Sequence, residues 1–122
     1  MATLKELWAE FQAAAPEAGI HISTFEALQT LRHGAPGGSR RGQLTPEQEV
    51  QGCFLDWLLH VKQERALAYK YLRRVGTVYV GPRQYWATSQ GGRPAIAWES
   101  SHTYPGTDSE MWDLIYVDAP QT

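Results

Sequence analysis

The chain has 122 residues, 43% of them hydrophobic and 20% charged, with a net charge of −2 and a pI near 6.0. That length suits one domain better than two self-sufficient cores, and the apolar share excludes disorder for the chain as a whole. A lone cysteine, Cys53, excludes an internal disulfide and a cysteine-built zinc cluster, and no apolar run approaches the ~20 residues that cross a bilayer.

A first helix is expected from about Thr3 to Ala14, where Leu4, Leu7, Trp8 and Phe11 recur at helical spacing. Its amphipathic start, with Glu6 and Glu10, is unlike a secretory leader, so the expected location is the cytoplasm. Ser23-Thr24-Phe25-Glu26 has the form of a capping box and announces a second helix, with Ile22 as a staple residue and Gly34 as a stop. The stretch of about 34–44 holds four glycines, a proline and Arg40-Arg41, and reads as a flexible loop between this helical pair and the rest of a single domain covering 1–122.

Thr45-Pro46-Glu47-Gln48 combines a capping box with proline at the first helical position. From Glu47 to Val75 no strong breaker occurs, which predicts a long third helix ended by Gly76. Gly52 and the polar stretch from Lys62 to Arg65 are where it would bend or split. Cys53 lies in its apolar run and reads as a small core residue. Phe54, Trp57 and Leu58 are expected to be buried together with Ile115 and Val117.

After Gly76 the period turns to strands: Thr77–Val80, Gln84–Thr88, Ala95–Glu99 and Met111–Asp118, with turn signals at Gly81-Pro82, Gln90-Gly91-Gly92 and Tyr104–Asp108. The last of these is apolar on both sides, which suggests a central, covered strand. Ala95 and Ala97 alternate with Ile96 and Trp98 and offer a small-residue face for a helix. The fold class that follows is α+β: two short N-terminal helices, a long third helix that bends, then an antiparallel meander of three or four strands packed on the helices.

Chemistry is harder to find. Asp56, His60 and Glu64 recur every four residues and would share one stripe of a continuous helix, a weak candidate for a divalent cation or an acid–base relay. Ordinary charge pairing with Lys62 and Arg65 explains them as well. His21, His33, His60 and His102 stand at no ligand spacing, and Ser100-Ser101-His102 are too close in sequence for a nucleophile and its base. No GxSxG, phosphate-binding loop or dinucleotide fingerprint occurs, so no cofactor is expected.

The charge distribution says more. Lys62, Arg65, Lys70, Arg73, Arg74, Arg83 and Arg93 face one acid, Glu64, between 62 and 93, leaving +6 there and −8 elsewhere. Tyr69, Tyr71, Tyr79, Tyr85 and Trp86 interleave with them. Lys70, Arg73, Arg74, Arg83 and Arg93 with Tyr79, Tyr85 and Trp86 would therefore suit a winged-helix-like nucleic-acid regulator. Near the C-terminus Asp108, Glu110 and Asp113 gather with Asp118 around Trp112 and Tyr116, an aromatic anchor with an acidic rim. The leading expectation is a non-catalytic protein that works through protein–protein contacts, as inhibitors and accessory factors of mobile elements and phages do. Its partner would be a second copy or a basic nucleic-acid-handling protein, and no membrane. Nucleic-acid binding is second and an enzyme with an unrecognised site third.

Overall fold

The computed structural model describes residues 2–14, 44–80, 83–103 and 110–118. The helix expected from Ser23 lies outside these residues, as do all of the expected loop but Leu44, and the turns at Gly81-Pro82 and 104–108. No helix among the described residues is long and apolar enough to cross a membrane.

The first helix, α1 (Leu4–Ala14), buries Leu4, Leu7, Trp8 and Phe11, the stripe that its spacing predicts. Thr3 caps it reciprocally. Its Oγ1 accepts from the Glu6 N–H at 3.1 Å, and Glu6 Oε1 accepts from the Thr3 N–H at 2.8 Å. The same device opens α2 (Pro46–Asp56): Thr45 Oγ1 accepts from the Gln48 N–H at 3.1 Å, and Gln48 Oε1 from the Thr45 N–H at 2.8 Å.

The long third helix of the sequence reading is not observed. After Asp56 the helix widens into a π-helical turn, Trp57–Val61, in which the Lys62 N–H reaches back five residues to the Trp57 carbonyl at 3.0 Å. Gln63 then adopts a left-handed backbone with φ 55°, the sole non-glycine to do so among the described residues. A separate helix, α3 (Arg65–Val75), follows and ends at Gly76, whose φ of 92° suits glycine. Lys, Gln, Glu and Arg are all good helix formers, so local propensity does not force this break. Folding α3 back over the sheet does.

Gly52 is not the bend that the sequence suggested. It lies within regular α2, where a Cβ would overlap the Tyr79 carbonyl oxygen and stand 3.1 Å from its carbon and 3.4 Å from Val80 Cα. Glycine here lets helix and strand backbones touch.

Four strands, β1 (Val78–Val80), β2 (Arg83–Gln90), β3 (Arg93–Thr103) and β4 (Glu110–Tyr116), form an antiparallel sheet in sequence order. Gly91 and Gly92, at φ 60° and 80°, close the β2–β3 hairpin between the paired Gln90 and Arg93. Positive φ at both loop positions is the mirror-image turn whose twist matches that of the strands. The strand β4 pairs with β3 alone among the described strands, so it is an edge and not the central strand expected. Apolarity on both faces reflects two differently covered sides, not a strand on each flank.

Register separates the faces. Tyr85, Ile96, Trp98 and Ile115 share the side toward the helices, while Trp86, Ala95, Ala97, Trp112, Leu114 and Tyr116 share the other. Ala95 and Ala97 are buried, but on this second side, between the larger side chains of β2 and β4, and not under any of the described helices. The core joins α1, α2, the π-turn and α3 to Val78, Tyr85 and Ile96, with Phe54, Leu55, Leu58 and Tyr71 wholly buried. Each such side chain contributes roughly 1.5–3 kcal/mol. Phe54 meets Trp8 edge-on at 5.3 Å and Tyr71 at 5.1 Å. Trp57 is half-buried, as are Ile115 and Val117. Phe54 and Leu58, one turn apart, take the inner stripe, and Trp57 falls at its margin, stacked beside Phe54 at 6.2 Å under the Lys62 ammonium.

Candidate functional site

On the sheet face away from the helices, Trp86 of β2 and Trp112 of β4 reach toward each other across Ala97, with ring centroids 6.1 Å apart and planes at 54°. Trp112 is 42% exposed, the one large aromatic among the described residues to stand so far out. Leu114 and Tyr116 continue this apolar strip along β4 and are half-buried. The Arg93 guanidinium lies 3.8 Å above the Tyr116 ring, and its Nη2 donates to Asp118 Oδ1 at 2.9 Å. This pair holds the Asp118 carboxyl below its ordinary range, chiefly through the hydrogen bond, and raises the guanidinium correspondingly. Arg65 Nη1 donates to the Tyr116 carbonyl at 3.3 Å, tying β4 to α3.

The acidic rim is partly in view. Asp113 is exposed, opposite Trp98 in register and thus on the helix side of the edge strand. Glu99, opposite Trp112, accepts from the Gln84 N–H at 3.2 Å. Asp108 and the side chain of Glu110 lie outside the described residues.

The basic and aromatic window is dispersed. Tyr71, Tyr79 and Tyr85 are buried, Tyr85 toward the helices and Trp86 on the opposite face, so the rings make no common platform. Burial raises the pKa of the Tyr71 and Tyr85 hydroxyls and keeps them neutral, and the Asp56 carboxylate adds to this at Tyr85. Lys62 pairs with Glu10 at 2.8 Å, and Arg73 lies 5.9 Å over the Tyr69 ring. Lys70 and Arg74 line a cleft with Lys5 against the start of α1, while Arg83 stands exposed at the start of β2.

Asp56 and His60 meet at 3.6 Å on the exposed side of the π-turn. The reversal at Gln63 takes Glu64 off their stripe, and no three His, Cys, Asp or Glu side chains converge for a metal among the described residues. Cys53 is exposed, contrary to the core position expected of it, because α2 turns Phe54 and Leu55 inward. Partial burial, then Asp56 and Glu49, push its thiol up, away from the reactive thiolate. His21 and His33 and the side chains of Ser100, Ser101 and His102 lie outside the described residues.

One feature was not legible in the sequence. Between the π-turn and the helix-facing side of the sheet lies a cavity of about 210 Å³. Tyr85 and Trp98, stacked at 5.4 Å and 22°, form part of its wall with Leu59 and Ile115. His60, Gln63 and Arg65 supply its polar lining. The polar run from Lys62 to Arg65 was the only sequence signal, and it pointed to a bend, not a cavity. Comparison with protein-family models, with curated proteins and with solved structures found nothing that this chain matches.

Proposed function

We propose that this chain is a non-catalytic binding protein that acts through protein–protein contact, with the Trp86–Trp112 face of the sheet as its docking surface and a basic protein as its partner. The observation that carries this is Trp112, a large aromatic ring 42% exposed beside Trp86 on a sheet edge. Interface energy concentrates in such rings, which bring large area at little conformational cost. The choice of a basic partner follows from charge: beyond Arg93, which pairs with Asp118, the sequence holds four further carboxylates, Glu99, Asp108, Glu110 and Asp113, and no lysine or arginine. Complementary charge would steer such a partner and select it over acidic competitors. Inhibitors and accessory factors work in this way, without a catalytic group.

The test is a comparison of partners retained from cells by the wild-type chain and by Trp112→Ala, with circular dichroism confirming the fold of both. A basic protein held by the wild type and lost from the variant is expected. Retention of the same proteins by both chains would overturn the reading, and sedimentation of the purified chain separates self-association from a second species.

Nucleic-acid binding is the second reading, favoured by the Lys5, Lys70 and Arg74 side chains around one cleft. Burial of Tyr79 and Tyr85 removes two of the rings that would have stacked bases. A gel shift with DNA and RNA at low salt, abolished by joint replacement of Lys70, Arg73, Arg74 and Arg83, would place this reading first.

A further inference from the structure

The cavity under the π-turn is on the opposite side of the sheet from Trp112, and its chemistry is independent of the docking surface. We infer that it is a binding site for a small planar aromatic carboxylate. Three observations lead there.

The first is backbone. A π-helical turn and a left-handed non-glycine residue stand next to each other at Trp57–Val61 and Gln63. The π-turn inserts about one extra residue into the helix, and a left-handed backbone is unfavourable for a residue that carries a Cβ. The Glu64 N–H closes back on the Leu58 carbonyl at 2.9 Å, so the distortion is a built loop and not a frayed end. Such devices gather at sites because they re-aim side chains that a regular helix would send elsewhere. Here they bring His60, Gln63 and Arg65 to line one cavity.

The second is size and shape. An apolar cavity of about 150 Å³ takes a benzene ring, and drug-sized ligands ask for roughly 300 Å³ or more. At about 210 Å³ this one fits a single ring with a short polar arm. The Tyr85 and Trp98 rings, stacked on each other, line it with Leu59 and Ile115 and make its lining largely aromatic and apolar, as a planar guest requires.

The third is polarity. The one permanently charged group of the lining is the Arg65 guanidinium, a planar fork that matches a carboxylate. Its bond to the Tyr116 carbonyl at 3.3 Å holds it in place against β4. Gln63 adds amide hydrogens and His60 a ring N–H. Asp56 is not part of the lining; its carboxylate lies 3.6 Å from His60 Nε2. A cationic guest would meet Arg65 with like charge, and a neutral one would not use it.

The experiment titrates the ¹⁵N-labelled full chain with benzoate, 4-hydroxybenzoate, benzamide and benzylamine, following the Trp98 indole N–H and the Gln63, Arg65 and Ile115 amides by NMR. Saturable shifts at these positions are expected with the carboxylates, with Kd of about 1 mM or tighter. Benzamide and benzylamine should bind about tenfold more weakly or not at all, because the charge-assisted bond is lost. Arg65→Met should weaken benzoate by a similar factor and leave benzamide unchanged, and a dispersed spectrum confirms that the variant folds. Equal affinity for benzoate and benzamide on the wild-type chain would overturn the proposal without any variant. So would shifts confined to other parts of the chain, or none at about 10 mM carboxylate.

Discussion

Replacing Gly52 by alanine tests the packing that orders the whole structure, and the expected sign is opposite to that of an ordinary helix position. On an exposed helix, glycine to alanine raises stability by about 1 kcal/mol, because alanine loses less backbone entropy. At Gly52 the new methyl group would overlap the carbonyl oxygen of Tyr79, a backbone atom that no side-chain rotation can move aside. Carbon and carbonyl oxygen approach no closer than roughly 3.3 Å without repulsion, so α2 and β1 must separate by on the order of an ångström. A gap of that size forfeits a quarter to a half of each dispersion contact along the seam. The buried Val50, Phe54, Leu55 and Val78 form that seam. Overpacking of this kind typically costs 1–3 kcal/mol, and the backbone contact puts it at the upper end. After the helix gain is subtracted, a net loss of about 2 kcal/mol is expected. Urea unfolding followed by tryptophan fluorescence measures it. Gly76→Ala is the control for steric overlap: nothing lies within 4 Å of the added methyl, so what it loses comes from its backbone alone, φ 92° with ψ −126°, which costs a side chain roughly 1–3 kcal/mol. A Gly52→Ala protein as stable as the wild type would refute the close contact of α2 and β1.

Two further outcomes are expected. Tyr71 buries its hydroxyl without a hydrogen-bond partner, so Tyr71→Phe should leave stability unchanged or raise it by about 1 kcal/mol; a loss above ~1 kcal/mol in the same assay would mean that the hydroxyl is satisfied. The Asp118 carboxyl, depressed by Arg93, contributes stability that is full above the ordinary aspartate value of 3.8 and fades as pH falls through the lowered one. Arg93→Gln should return the Asp118 titration, followed by NMR of its carboxyl carbon, to that ordinary value, and an unchanged midpoint would show that the pair does not form in solution.

Local physical chemistry accounts for much of the fold. The Leu4–Phe11 stripe, the Thr45 cap with Pro46, the Gly76 stop and the Gly91-Gly92 turn were all legible, because each depends on neighbours within a few residues. The order of the meander follows from the same signals, since short turns pair successive strands. For the site, the sequence singled out Trp112 and Tyr116 and gathered the cations of 62–93, but could not say which rings face solvent. Tyr85 and Trp86 are adjacent rings in one strand, and only register put Tyr85 under the helices and Trp86 on the far face.

What the sequence determined by itself is the α+β class, the main helix and strand signals and their punctuation, because periodicity and capping are properties of adjacent residues. Tertiary structure decided the rest. Gln63 turns left-handed against the helical preference of its neighbours, because α3 gains more by folding onto the sheet than an unbroken helix would from continuing. Gly52 serves a contact with a strand 27 residues away, β4 becomes an edge, and Cys53 faces outward. The polar run from Lys62 to Arg65 marked where the helix would split, but the left-handed turn at Gln63 and the other three features depend on residues distant in sequence, which no local pattern reports.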